Sequence, residues 1–211
     1  MLYLGLALYG ASGALQVRSG LGLDPWDVLH QGIASHTGLA IGTVSIAVGA
    51  VVLLGWIPLR QWPGLCTVSN VVLVGSSTNV ALALLPGRAP LPWRVAEMLG
   101  GILLCGLASG MYIGARFGPG PRDGLMTGLA RRTGRSLRLV RACIELTVLA
   151  IGWLLGGTVG IGTMLFAVSI GPLVQFFLPL LDTATPAGSL QTRANEPVSP
   201  SRFVDDRGIM S

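Results

Sequence analysis

Lysine is absent from this 211-residue chain: its fourteen basic residues are all arginine, set against nine acids for a net charge of +5. Charge of either sign is scarce. Only 11% of residues are charged, far below the roughly 25% of a soluble globular domain, and that deficit argues against an ordinary soluble fold. Cysteine is scarce as well. Cys66, Cys105 and Cys143 all fall in apolar stretches without Cys-x-x-Cys spacing, so neither a disulfide framework nor a thiolate metal site is indicated. The two histidines, His30 and His36, do not share a helical face, and no metal centre is expected. The chain carries no Gly-x-Ser-x-Gly, His-Glu-x-x-His or phosphate-loop pattern, so the expectation is no cofactor and no enzyme. A basic leader and a small-residue cleavage site are also missing at the N-terminus, which argues against a cleavable signal peptide. Met1 opens almost directly onto apolar residues, as a start that had lost a short basic leader would.

What the chain has in quantity is apolar residue, 51% of the total, with a mean hydropathy of +0.69. Apolar segments run over 2–17, 39–57, 65–85, 98–115, 137–155 and 161–181. Crossing a bilayer takes roughly 20 residues at ~1.5 Å each. The expected fold class is therefore an all-α polytopic membrane protein with six transmembrane helices. Seven of the arginines lie between Arg116 and Arg141. A basic cluster can bind nucleic acid, but beside membrane spans it marks a cytoplasmic loop, so the partner expected is the lipid bilayer and not a nucleic acid. Beyond Leu181 the run "ATPAGSLQTRANEPVSPSR" is rich in Pro, Ser and Thr and has no apolar period. Residues 1–181 thus read as a membrane domain and 182–211 as a disordered cytoplasmic tail.

One phrase occurs twice. "LDPWDVLHQGIASHTG" fills 23–38 and "PGPRDGLMTGLARRTG" fills 119–134. Pro25 matches Pro121, an offset of 121 − 25 = 96, and Asp27, Leu29, Gly32, Thr37 and Gly38 match Asp123, Leu125, Gly128, Thr133 and Gly134 at the same offset. Ungapped matches extend outward to Gly5 with Gly101 and to Gly75 with Gly171. The chain reads as a duplication, one repeat over about 1–86 and the other over about 97–181. Three spans per half is an odd number, so the second half must enter the membrane in the opposite sense, as in an inverted-topology repeat. Arginine placement agrees. With the 116–135 loop cytoplasmic, eleven arginines fall on that side and only Arg18, Arg88 and Arg94 on the other, and both termini are cytoplasmic.

In each copy, Pro takes the first helical position, where its missing N–H costs nothing. Asp27 and Asp123 follow at the third position, close to the unpaired amides and the positive dipole end. Asp24 can cap the first copy, with Gly120 in that place in the second, and Gly38 and Gly134 supply C-terminal stops. The result is a helix of about 13 residues, ~20 Å long, too short to cross, which lies in the interface or re-enters. Pro25, Pro121 and the two aspartates have a plain reading as helix-starting residues. A sharper reading has two half-helices aiming their N-termini at a midplane site, where the carboxylates favour a cation or a proton-coupled solute at least as much as an anion. Further along, Arg138, Arg141 and Glu145 share one face at the start of the fifth span, either snorkelling and pairing or lining a pathway. The third span is polar, and its Asn79 matches Gln175 at the offset; both either bond neighbouring helices or line a pathway. The glycine series 106, 110, 114 and 152, 156, 160 allows close helix contact.

Six stretches together, "GLDPWDVLHQGIASHTG", "GWIPLRQWPG", "YIGARFGPGPRDGLMTGLARRTG", "VRACIE", "GWLLGGTVGIGT" and "IGPLVQFFLPLL", resemble the YczE/YyaS-like bacterial integral membrane proteins, related to the YitT-type proteins. The resemblance implies a multi-pass protein of a bacterial plasma membrane, and arginine without lysine suits a GC-rich genome; it supplies no substrate. Two functions remain open. One is a small-solute transporter, dimeric, with a pathway along Asp27, Asp123, Glu145, Arg141, Asn79 and Gln175. The other is a non-transporting protein that regulates or assembles with a partner through its basic loop.

Overall fold

In a computed structural model the described residues are 1–181 without 86, 88, 116 and 117, and they form eight α-helices and no strand. The tail expected to be disordered lies outside the described residues. The helices are α1 (Leu2–Ser19), α2 (Pro25–Thr37), α3 (Ile41–Leu54), α4 (Leu65–Leu84), α5 (Leu91–Gly114), α6 (Pro121–Thr133), α7 (Leu137–Leu154) and α8 (Ile161–Leu181).

The two short helices begin at their prolines and end at their glycines. Asp24 caps α2 by accepting from the Asp27 amide at 2.8 Å, and Gly38 closes the helix at φ 70°. In α6, Gly120 stands at the cap without a side chain to offer, and Gly134 closes at φ 66°. Only glycine takes that left-handed conformation without strain.

Three helices, α4, α5 and α8, are long and apolar enough to cross a bilayer, and a fourth crossing follows if α2 and α3, bent by 113° across a short break, count as one. The six expected segments all carry helices, but composition limits the others. Gln16 and Arg18 dilute α1, Arg138, Arg141 and Glu145 dilute α7, and α3 has only 14 residues.

Packing between the halves is reciprocal. Gly5 lies against Ala108 and Met111, while Gly101 lies against Ser12 and Leu15, so α1 and α5 cross on paired small residues. Gly22 abuts Thr163, whose hydroxyl accepts from the Leu23 amide at 3.1 Å. Correspondingly Gly118 abuts Thr67, whose hydroxyl donates to the Pro119 carbonyl at 2.9 Å. Each short helix also meets the other half, α2 on the end of α7 and α6 on the turn that follows α3. Gly152 and Gly157 of the α7 end admit Val28 and Leu29 of α2, and Gly124 of α6 admits the Trp56 ring, whose N–H donates to the Pro121 carbonyl at 3.1 Å.

Within the halves the packing differs. The seam between α3 and α4 is closed: Gly42 and Gly75 bring backbone onto backbone with no room for a methyl group on either. There Asn79 accepts from the Gly42 amide at 2.9 Å and donates to Thr43 at 3.1 Å. By contrast α7 and α8 barely touch among the described residues, and nothing lies near Gly171.

Candidate functional site

The starts of α2 and α6 meet at one cavity of about 320 Å³, walled by α1, α3, α4, α5, α7 and α8. Its chemistry follows from two prolines that begin helices facing each other. Each places a third-position aspartate at the helix start, and the second position of α6 places Arg122 across the divide. Arg122 stands 3.7 Å from the Asp24 carboxylate and 3.8 Å from that of Asp27, with its guanidinium 5.1 Å from the centre of the Trp26 ring. Asp27 is also held by His30 Nδ1 at 3.0 Å, on a histidine that is fully enclosed. Arg122 joins the first half to the second through two ion pairs and a cation–π contact, which strengthen away from water.

Across the cavity Asp123 accepts from the Tyr112 hydroxyl at 3.4 Å. That hydroxyl belongs to a ring in edge-to-face contact with Tyr9, their centroids 6.0 Å apart. Arg141 donates to Glu145 at 2.8 Å, one turn along α7, and both line the wall, as does Gln175 on α8. Of the residues named from sequence, Asp123, Arg141, Glu145 and Gln175 line the cavity, together with Pro25 and Pro121. Asp27 stands behind Arg122 and reaches the site through it. Asn79 is placed elsewhere, in the α3–α4 seam. Gly38 and Gly134 sit at the far ends of their helices. Among the described residues no group of three His, Cys, Asp or Glu side chains could hold a metal.

Sequence reasoning passed over Arg122, Trp26 and Tyr112, and weighed His30 only as a metal ligand. One signal was available. Arg122 and Trp26 occupy the same place between the matched proline and aspartate of the two copies, and a cation and an aromatic at equivalent positions are poised to meet if the copies face each other.

A family model described as "Family of unknown function (DUF6198)" matches residues 1–179. The chain belongs to this family. It is 41% identical over 181 residues to an "Uncharacterized protein" of Haemophilus influenzae, covering 86% of this chain and 83% of that one. It is 34% identical over 196 residues to the "Uncharacterized membrane protein YczE" of Bacillus subtilis, covering 90% of each. The "Uncharacterized protein YyaS" of the same organism is 24% identical over 183 residues, covering 85% of this chain and 91% of that one. No solved structure matches the chain. The resemblance read from the six sequence stretches is thus the family found, and with helices long enough to cross a bilayer the chain is a helical membrane protein.

Proposed function

We propose that this protein is a small-solute transporter of the bacterial plasma membrane, built from two inverted three-span repeats with both termini cytoplasmic. Reciprocal contacts between the halves support the repeat. When residue i of one unit meets j of the other, and j of the first meets i of the second, the pair is related by a two-fold axis, and Gly5–Ala108 with Gly101–Ser12 has that form. Arg122 over Trp26 lies on such an axis, since the two positions are equivalent. A two-fold axis in the membrane plane gives inverted halves with a site between them.

The observation that carries the transport reading is the unequal pair of seams beside the cavity. The α3–α4 seam is shut by Gly42, Gly75 and Asn79, while the equivalent α7–α8 seam is open beside Glu145 and Gln175. One closed and one open gate around a single charged cavity is the form of an alternating-access protein caught facing one side, here the cytoplasmic side. Half-helix starts meeting at that cavity supply the polar groups that a solute needs at membrane depth.

Two measurements test this without knowing the solute. In a background lacking the three native cysteines, single cysteines at Thr37 and Thr133, equivalent and exposed, are expected to react with an impermeant thiol reagent from opposite faces of the membrane. A cysteine at the cavity residue Ser109 is expected to react from either face, in right-side-out and in inside-out vesicles. Labelling of Ser109→Cys from one face only would refute transport. The exposed Arg131, Arg132 and Arg135 favour the second reading in that event, a regulatory membrane protein. Changing all three to alanine is then expected to lose a copurifying partner.

A further inference from the structure

We infer that the cavity takes a small organic cation, with Asp123 as its anchoring carboxylate. This deepens the transport reading by naming the class of solute.

Count of charge comes first. Asp24, Asp123 and Glu145 line the cavity with Asp27 directly behind Arg122, four carboxylates, against two guanidinium groups, Arg122 and Arg141. Pairing then shows which carboxylate is left. Arg122 is shared by Asp24 and Asp27, the latter also held by His30, and Arg141 is engaged by Glu145. Asp123 forms no direct ion pair among the described residues: its one side-chain hydrogen bond there comes from the neutral Tyr112 hydroxyl, and Arg122 and Arg141 act on it only from longer range. A carboxylate withdrawn from water without a directly paired counter-charge is costly, and a cation brought by a ligand relieves that cost.

An anion is disfavoured by the same geometry. The cations it would need are already engaged, Arg122 by two carboxylates and an indole ring and Arg141 by Glu145, so an anion would have to displace them. A bare metal ion is disfavoured as well, because the walls lack a cluster of three ligating side chains among the described residues. What the walls do offer is π surface and aliphatic surface: Tyr9, Tyr112 and Phe166, with Val71, Val74 and Ile170. Aromatic faces bind ammonium and guanidinium groups whose charge is spread over carbon, which sheds water more readily than a compact ion. A volume of about 320 Å³ lies at the small end of ligand sites. The Trp26 indole N–H, buried and without an acceptor among the described residues, adds a donor in a wall residue for an oxygen on the same ligand.

The test is binding to the purified full-length protein in detergent, read as thermal stabilisation and by calorimetry. Tetramethylammonium, choline and guanidinium are the probes, with sodium chloride and sodium acetate at matched ionic strength as controls. At least one organic cation is expected to stabilise the protein saturably where sodium does not. Asp123→Asn is expected to weaken that response at least tenfold, and Asp123→Glu, which keeps the charge, to retain most of it. If the Asn variant fails to fold, Tyr9→Ala provides the second arm, with a weakening of several-fold expected. Stabilisation by acetate instead, a response unchanged in Asp123→Asn, or no response to any probe overturns the inference. The outcome separates from the transport test. Labelling of Ser109→Cys from both faces without cation binding would leave transport standing and remove the cation. Cation binding with one-sided labelling would do the reverse.

Discussion

The two halves of the molecule run through the same helix order, yet the α3–α4 seam of the first is shut and the α7–α8 seam of the second is open. The cause is legible at three pairs of positions. Where the first half has Gly42, Gly75 and Asn79, the second has Arg138, Gly171 and Gln175. Two facing glycines let helix backbones touch, the means by which membrane helices associate when no hydrophobic drive separates them from lipid. With Arg138 in place of Gly42, the second half lacks the facing glycine pair that brings the backbones together. The lesson is that matched positions in the two halves do not make two equal seams. Small-residue placement decides which seam is closed, and under the proposed transport function that seam would be the closed gate beside the cavity.

Breaking the closed seam is the strongest way to test this. Gly75→Leu forces a branched side chain onto the Gly42 carbonyl and the Ile46 side chain, and overpacking of this kind costs ~1–3 kcal/mol or more. The equivalent Gly171→Leu meets open space and is expected to change stability by less than ~0.5 kcal/mol. Thermal unfolding in one detergent compares the pair directly. Equal losses at 75 and 171 would mean that the seams are alike and that the asymmetry is not built into the chain.

A second comparison sets the two motif aspartates against each other. Asp27 is bound by His30 and faces Arg122. Asp27→Asn removes a charged partner from a buried network and is expected to cost about 1–3 kcal/mol. Asp123 has one long contact to a hydroxyl, so Asp123→Asn is expected to cost less than ~1 kcal/mol, its effect appearing in cation binding instead. Chemical denaturation of both variants decides this, and a larger loss at 123 would invert the assignment of structural and ligand-facing carboxylate.

Much of this frame was readable from the chain. Proline at 25 and 121, and glycine at 38 and 134, bound the two short helices because each residue type acts on its own local backbone. The ungapped offset likewise pairs glycines that make corresponding contacts, Gly5 against α5 and Gly101 against α1. Half of the site was harder to see. Arg122 meets Asp24, Asp27 and Trp26 across the divide between halves, a contact set by tertiary packing and invisible to spacing along one helix. Asn79 and Gln175, read as equivalents, part company for a similar reason. Asn79 finds a bare backbone amide at Gly42, whereas Gln175 lies at the open α7–α8 seam, where the position equivalent to Gly42 is Arg138. The number of crossings was also less legible than the number of apolar segments, because α1 carries Gln16 and Arg18 and α7 carries Arg138, Arg141 and Glu145 within otherwise apolar helices.

That divergence between Asn79 and Gln175 yields the finest test of the comparison. Asn79→Ala loses the acceptor of the Gly42 amide and the donor to Thr43. Interhelical polar bonds in membranes average about 0.6 kcal/mol and reach about 1.7, so a loss of ~1 kcal/mol is expected. Gln175→Ala removes a side chain at the open seam, where no hydrogen bond to another described residue is made, and is expected to leave stability unchanged within error. Labelling kinetics at Ser109→Cys sharpen the point. If Asn79 latches the closed seam, Asn79→Ala is expected to raise the labelling rate from the outer face several-fold while Gln175→Ala leaves it alone. A loss of stability without that change in rate would mean that Asn79 holds α3 to α4 as ordinary packing and that the latch resides in the glycines.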